Sequence, residues 1–230
     1  MEGVSRGNIL PVFIFDPKLI RSTPPEKQSF LNNLLFDLDQ QLRQFGNYLL
    51  VRRGNPIEVL KTLVTETDAE LIIFQEDYTP YALKRDSEII KTLPCKTMPG
   101  QNFFRPDQIL KKDETPYTIF TPYSKTWLKS VQSDIKPKPA PREIPGSLKL
   151  QSEPLIQNEV HSIFPASEAE AHNRLRSFLT GQEGIYSYAV NRNKLAIDGT
   201  SLLSPYIHFG VLSMKQLVSK AINSMFDAQD

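Results

Sequence analysis

Four short apolar runs alternate with longer helix-like segments through the first hundred residues of the chain. The runs fall at residues 9–15, 48–51, 71–74 and, more weakly, 96–98. The helix-like segments between them are residues 25–45, 56–65 and 80–92. Strands separated by helices of this length are typical of βαβ units, in which the strands run parallel. The alternation therefore predicts an α/β domain with a Rossmann-like, doubly wound parallel sheet.

The composition narrows the class of protein. Lys and Arg number 27 and Asp and Glu 26, so the net charge of +1 gives no overall basic field for binding nucleic acid, although a local basic face remains compatible with it. Cys95 is the single cysteine, which excludes an internal disulfide and fits a reducing, cytoplasmic location. Because His161, His172 and His208 are far apart, we expect no metal site. No apolar run approaches the length of a membrane span, so we expect no membrane partner.

The character of the sequence changes after residue 129. Residues 130–165 contain a third of the 18 prolines, namely Pro137, Pro139, Pro141, Pro145, Pro154 and Pro165. Proline fixes φ and removes a backbone donor, so this stretch is expected to be an extended connector that is not packed. Ser167 and Glu170 then form a capping-box pattern, and the rest of the chain reads as helix and loop. We therefore predict an α/β domain over 1–129, a Pro-rich linker over 130–165 and an all-α region over 166–230.

A hydroxyl-rich run lies near the middle of the all-α region. Thr200, Ser201 and Ser204 lie within five residues, directly after Gly199. Small hydroxyls beside backbone N–H groups at a turn into a helix suit a phosphate or another anion. Most such clusters, however, only cap the helix that follows. The residues alone leave both interpretations open.

The amino-acid sequence in and around this run resembles that of a known family. Residues 198–210 read D-G-T-S-L-L-S-P-Y-I-H-F-G, which is similar to the flavin-cradling segment of the DNA photolyase/cryptochrome family. Four further segments resemble that family in the same order, and they are residues 10–17, 77–86, 116–127 and 164–178. The resemblance implies an α/β domain followed by a linker and the start of an all-α FAD-binding domain.

The resemblance also implies roles for individual residues. The position of Tyr188 is one that contacts the phosphate region of FAD in this family, and Arg192 matches an arginine that binds the DNA backbone. The segment around the FAD diphosphate is matched by Thr200, Ser201, Leu202, Leu203 and Ser204. No catalytic residue is identified. The implied activity is FAD-dependent, light-driven repair of pyrimidine dimers in damaged DNA. The alternatives are a cryptochrome-type blue-light photoreceptor and a non-catalytic remnant of a photolyase gene.

Two departures from the family pattern carry expectations of their own. Tyr81 and Ala82 stand where members with a folate antenna carry an Asn-Glu pair, so a folate antenna is not expected, while a deazaflavin, a flavin or no second chromophore remain open. No segment resembles the family's first strand, and most of its FAD domain would lie beyond residue 230. We therefore expect an incomplete version of the family's chain, with a gap in the sheet where the central first strand would stand. The oligomeric state cannot be predicted.

Overall fold

The computed structural model of the chain describes residues 7–131, 135–146, 148–157 and 163–227, with side chains to residue 224. Its strands are β1 (Val12–Phe15), β2 (Leu50–Arg53), β3 (Ile72–Gln75) and β4 (Cys95–Met98). Its helices are α1 (Pro17–Ile20), α2 (Pro25–Gln44), α3 (Pro56–Thr67), α4 (Pro80–Thr92), α5 (Phe120–Ser130), α6 (Glu168–Thr180), α7 (Tyr188–Asn191), α8 (Ser204–His208) and α9 (Met214–Asp227). Within the described residues, no helix has both the length and the apolar character needed to cross a lipid bilayer.

The strands form two parallel pairs. Strand β1 pairs with β2 in parallel. Strand β3 is hydrogen-bonded to β4, because the Ile72 N–H donates to the Pro94 carbonyl and the Glu76 N–H to the Met98 carbonyl, each at 2.9 Å. Both bonds advance in the same direction along the two strands, so this pair is also parallel. The α/β fold class with parallel strands is confirmed.

The two strand pairs are separate sheets. In a doubly wound sheet of order 3-2-1-4-5, the central strand joins the flanking pairs 3-2 and 4-5. Strands β1 and β2 correspond to one flanking pair, and β3 and β4 to the other. Among the residues that the structure describes, no strand joins the two pairs.

The chain divides into two compact units. The first unit comprises the described residues of Met1–Phe74, Pro80–Thr97 and Pro139–Glu170. The second unit comprises those of Gln75–Thr79, Met98–Lys138 and Ala171–Asp230. The strand pairs and helices α1–α4 belong mainly to the first unit, and helices α5–α9 mainly to the second.

Helix α2 packs on the β1–β2 pair to form the core of the first unit. The buried cluster consists of Phe15, Leu35, Leu42, Leu49 and Val51. Leu38 shares the helical spacing of the apolar residues of α2, but its side chain is 43% exposed. The polar residue that follows it, Asp39, is buried instead. Its Oδ1 accepts a 2.8 Å hydrogen bond from the Leu49 N–H and thereby ties α2 to the chain entering β2.

The Pro-rich segment departs from the sequence prediction. After Ser130, where α5 ends, its described residues contain no helix or strand, but from Pro139 onward they belong to the first unit and pack within it. Ile144 and Leu155 contact the core cluster. The Val51 N–H donates to Ser152 Oγ at 2.9 Å, and the Glu153 N–H donates to the Val51 carbonyl at 3.1 Å. The outer edge of β2 has backbone groups that no neighbouring strand satisfies, and this segment supplies their partners.

In the second unit, helix α6 supplies a large part of the core. The predicted cap at its start is confirmed, since Ser167 Oγ accepts a 3.1 Å hydrogen bond from the Glu170 N–H. Ala171 and Leu175 lie four residues apart and so share one face of α6, and they are 0% and 3% exposed. The same unit buries Leu203, which lies inside the hydroxyl-rich run, and Tyr206, Leu212 and Val218, which follow it.

Candidate functional site

The hydroxyl-rich run from Thr200 to Ser204 begins in close contact with helix α7. A Cβ atom placed on Gly199 would lie 2.6 Å from the Asn191 Cβ and 2.7 Å from the carbonyl carbon and oxygen of Asn191. Carbon atoms normally approach to about 3.5–4.0 Å, so only a residue without a side chain permits this contact. The contact brings α7, which begins at Tyr188, and the start of the predicted phosphate-binding run together within the second unit.

Four predicted site residues in this region carry hydroxyl groups, namely Tyr188, Thr200, Ser201 and Ser204. Among the described residues none of these hydroxyls has a hydrogen-bond partner. Tyr188 is 41% exposed, Thr200 and Ser204 are exposed, and Ser201 is half-buried. Helix α8 begins at Ser204 with Leu203 in the N-cap position and no side-chain cap. The helix-cap alternative is therefore not realised here, and the hydroxyls are accessible to a ligand.

The two leucines inside the run turn and anchor it. Leu202 has a φ of +49°, in the left-handed region that residues with a branched apolar side chain rarely adopt. Leu203 is 2% exposed and lies in the core. A left-handed residue costs about 1–2 kcal/mol, which the surrounding contacts must offset. The turn at Leu202 therefore separates the accessible hydroxyls of Thr200 and Ser201 from the buried anchor at Leu203.

The helix that follows the run is held by an aromatic side chain. Tyr206 on α8 is 0% exposed. The Arg174 guanidinium of α6 lies 5.9 Å from the centre of the Tyr206 ring. This packing fixes the C-terminal end of the run to the core of the second unit.

Tyr188 and Arg192 lie at opposite ends of the short helix α7. The Arg192 guanidinium is 5.7 Å from the centre of the Tyr188 ring, and the Arg192 side chain is exposed. The Tyr188 ring also meets Phe178 edge to face, with 6.1 Å between the ring centres. The ring contacts orient Tyr188 while its phenol remains accessible, and Arg192 adds a positive charge beside it.

Asn191 is a residue of this region that the sequence did not indicate. It is 5% exposed, and its Nδ2 donates to Glu183 Oε2 at 2.6 Å. The Lys194 ammonium donates to Asn191 Oδ1 at 2.9 Å. No sequence motif relates these three residues, because their proximity depends on the turn that precedes α7. Asn191, at the end of α7, thus connects this helix to Glu183 before it and to Lys194 after it.

A second polar cluster lies at the carboxyl end of β1 in the first unit. Asp16 follows β1 directly and is 5% exposed. The Tyr81 hydroxyl donates a hydrogen bond to Asp16 Oδ2. Burial, followed by the bond to this carboxylate, raises the pKa of Tyr81 to about 12. The neighbouring Ala82 is 1% exposed. The two positions that the sequence analysis compared with the Asn-Glu pair of folate-antenna members therefore hold a hydrogen-bonded tyrosine and a buried alanine.

One open depression of the described surface lies in the first unit, away from the predicted site. Its volume is about 480 Å³, and it is lined by Arg52, Glu66 and residues 150–154 of the first unit. Among the described side chains, no group of three His, Cys, Asp or Glu residues could hold a metal ion. His161, considered in the sequence prediction, lies outside the described residues.

Comparison with known proteins identifies the family. A family model described as DNA photolyase matches residues 4–143. The deoxyribodipyrimidine photo-lyase of a Synechococcus species is 29% identical over 234 residues, covering 90% of this chain and 47% of the relative. The corresponding enzyme of Halobacterium salinarum is 26% identical, covering 98% of this chain and 50% of the relative. The chain thus spans about half the length of these relatives.

A solved structure shows that the fold extends along nearly the whole chain. The class III photolyase of Agrobacterium tumefaciens matches with a TM-score of 0.81 at 22% identity, covering 97% of this chain and 51% of that one. At this identity the likeness concerns the fold. The family model covers residues 4–143, more than half of the 230 residues, and the chain therefore belongs to the DNA photolyase family.

Proposed function

We propose that this chain contributes to FAD-dependent, light-driven repair of pyrimidine dimers in DNA, and that its part is to hold the phosphates of FAD. The observation that supports this most directly is the set of four hydroxyls between Tyr188 and Ser204 that have no partner among the described residues. These hydroxyls lie in a segment that resembles the family's flavin cradle. Because the chain spans about half of its relatives, the remainder of the site would come from outside these residues.

The residues present suit a diphosphate in their donor chemistry. A phosphate oxygen is a strong acceptor, and hydroxyls and backbone N–H groups replace the water that it loses on binding. The proposed contacts come from the Tyr188 phenol, the hydroxyls of Thr200, Ser201 and Ser204, and the backbone of Leu202 and Leu203. The short distance between α7 and Gly199 keeps both sides of this cradle together. FAD, when bound, supplies the light-driven redox chemistry, while these residues bind and orient it.

For Arg192 we propose a contact with the DNA backbone. Its side chain is exposed at the end of α7, and its guanidinium lies over the Tyr188 ring. A guanidinium can bind a phosphate with two parallel hydrogen bonds, and such a contact positions a duplex without reading its sequence. The net charge of +1 means that this contact would act locally and would not draw on a general basic field.

Titration of the purified chain with FAD tests the first part of this proposal. Replacing Thr200 and Ser204 together, as Thr200→Val with Ser204→Ala, should weaken FAD binding by on the order of tenfold per lost hydrogen bond to a charged phosphate. Ser177→Ala removes an exposed hydroxyl of α6 outside the proposed cradle and should leave the affinity unchanged. Equal affinity of the double variant and the control would count against the cradle.

Repair of a DNA duplex carrying a pyrimidine dimer tests the activity and separates the alternatives. Light-dependent restoration of the duplex supports the photolyase function. Flavin binding without repair favours a cryptochrome-type photoreceptor, and the absence of any flavin binding favours a non-catalytic remnant. Arg192→Ala should reduce DNA binding and its dependence on salt, since one phosphate contact is lost.

The proposal also covers a second chromophore and the cellular compartment of the protein. The paired phenol of Tyr81 and the buried Ala82 offer no carboxylate at these two positions for a folate, so we propose a flavin-type antenna or none. The single Cys95 supports a reducing, cytoplasmic location. Absorption spectra of the protein purified from cells would identify any bound chromophore.

A further inference from the structure

We infer that Asn191 is a positioning residue of the proposed FAD phosphate site. It joins α7 to Glu183, which precedes this helix, and to Gly199, which precedes the hydroxyl-rich run. The inference rests on the proposed function and deepens it. Asn191 would not contact the cofactor itself. It would act by fixing the distance between Tyr188 and the hydroxyl-rich run.

The side chain of Asn191 is held between two opposite charges. Its Nδ2 donates to the Glu183 carboxylate at 2.6 Å, and its Oδ1 accepts from the Lys194 ammonium at 2.9 Å. A carboxylate only accepts hydrogen bonds and an ammonium only donates them, so the amide has a single favourable orientation. At 5% exposure, this amide is shielded from water that could replace either partner.

The backbone of Asn191 forms the other half of the junction. Gly199 approaches so closely that a Cβ there would lie 2.6–2.7 Å from Asn191 atoms. The Asn191 carbonyl also accepts a 2.9 Å hydrogen bond from the Lys194 N–H, which turns the chain after α7. Rotation or displacement of Asn191 would therefore move Gly199, and with it Thr200, relative to Tyr188.

The chemistry of the three groups provides a charge-specific test. Asn191→Asp keeps the size of the side chain and the bond to Lys194, but it places a carboxylate against the Glu183 carboxylate. Adding Glu183→Gln restores a donor facing the introduced carboxylate, because the glutamine amide can donate where the Glu183 carboxylate could only accept. A role limited to filling space would not distinguish the single from the double variant.

The control for charge is Asn193→Asp, two residues further along and exposed. We expect Asn191→Asp to weaken FAD binding by about tenfold, the double variant to recover most of that loss, and Asn193→Asp to match the wild-type chain. Riboflavin, which lacks the phosphates, should bind all four proteins alike. The inference is overturned if Asn191→Asp behaves as Asn193→Asp does, or if the double variant binds FAD no better than the single one.

Hydrogen–deuterium exchange of the ligand-free proteins separates this inference from the proposed function. Peptides covering residues 188–204 should exchange faster in Asn191→Asp than in Asn193→Asp, with recovery in the double variant, while peptides of β2 stay unchanged. If the wild-type chain binds no FAD, the proposed function fails, and exchange alone decides whether Asn191 positions this segment. Unchanged exchange at 188–204 would overturn the positioning role whatever the FAD titration gives.

Discussion

Substitution of Gly199 by alanine tests whether the close contact between α7 and the hydroxyl-rich run is needed for binding. The added methyl group would lie 2.6 Å from the Asn191 Cβ and 2.7 Å from its carbonyl carbon and oxygen. Two of these three atoms are backbone, so rotation of a side chain cannot relieve the overlap. The two segments must separate by about 1 Å to reach an ordinary contact distance.

This overlap has a cost in stability and a second cost in affinity. Overpacking of this kind costs about 1–3 kcal/mol, because the backbone has to shift. In a chain of this length, about 2 kcal/mol lowers the melting temperature by roughly 4–8 °C. A separation of about 1 Å also moves the Thr200 hydroxyl and the Tyr188 phenol too far apart for both to hydrogen-bond the same diphosphate. Hydrogen bonds weaken steeply outside their normal range of distance. We therefore expect both a lower melting temperature and FAD affinity reduced at least tenfold.

The matched control is Gly46→Ala in the first unit. Gly46 has a φ of +75°, and no atom of the described residues lies within 4 Å of an added Cβ, so alanine there is strained without a steric overlap among them. This strain costs about 1–2 kcal/mol. The assay is thermal unfolding followed by circular dichroism, together with FAD titration at a temperature where both variants are folded. If the two variants lose FAD affinity equally, or if Gly199→Ala binds as wild type, the positional argument is refuted.

Three further predictions concern the first unit. The pKa of Tyr81 is about 12 in the folded chain and lower in the unfolded chain, so the folded state holds this proton more tightly. The resulting stabilisation is complete below about pH 10 and is lost as the pH rises towards 12, and urea unfolding across this range should show a steeper loss for wild type than for Tyr81→Phe. Asp39→Ala should destabilise the unit by about 1–3 kcal/mol in urea unfolding, because the buried Leu49 N–H loses its acceptor, whereas Asp39→Asn keeps an acceptor oxygen and should cost less. Ser152→Ala removes the acceptor of the Val51 N–H and should cost about 1 kcal/mol, with faster hydrogen exchange at Val51; an unchanged exchange rate would contradict the packing of the Pro-rich segment on β2.

Local rules of sequence predict the elements of this fold well, because each depends on residues that are near in the chain. The pair Asn55 and Pro56 predicts the cap and first residue of a helix, and Asn55 Oδ1 accepts a 2.9 Å bond from the Ile57 N–H at that helix start. Ser167 caps α6 in the same manner. Local rules do not predict that Asp39 is buried on α2 while its neighbour Leu38 is exposed. That outcome depends on the hydrogen bond between Asp39 and the backbone of the chain entering β2.

The Pro-rich segment shows where such local reasoning ends. Its prolines correctly indicated the absence of regular structure, since proline supplies no N–H for a ladder. They gave no indication that Ser152 and Glu153 would satisfy the outer edge of β2, because that requirement arises about a hundred residues earlier in the chain. From Pro139 onward, a segment that looks like a linker in sequence is therefore an integral part of the first unit.

The sequence by itself determined the alternation of strands and helices, the caps at Asn55 and Ser167 and the identity of the hydroxyl-rich run. These features follow from periodicity, capping chemistry and residue order, all of which are local. The tertiary structure alone decided that the Pro-rich segment packs on β2, that the hydroxyls serve no cap and that Gly199 meets Asn191. Such features depend on which distant groups come into contact, and steric exclusion and hydrogen-bond satisfaction between those groups are established only once the chain has folded.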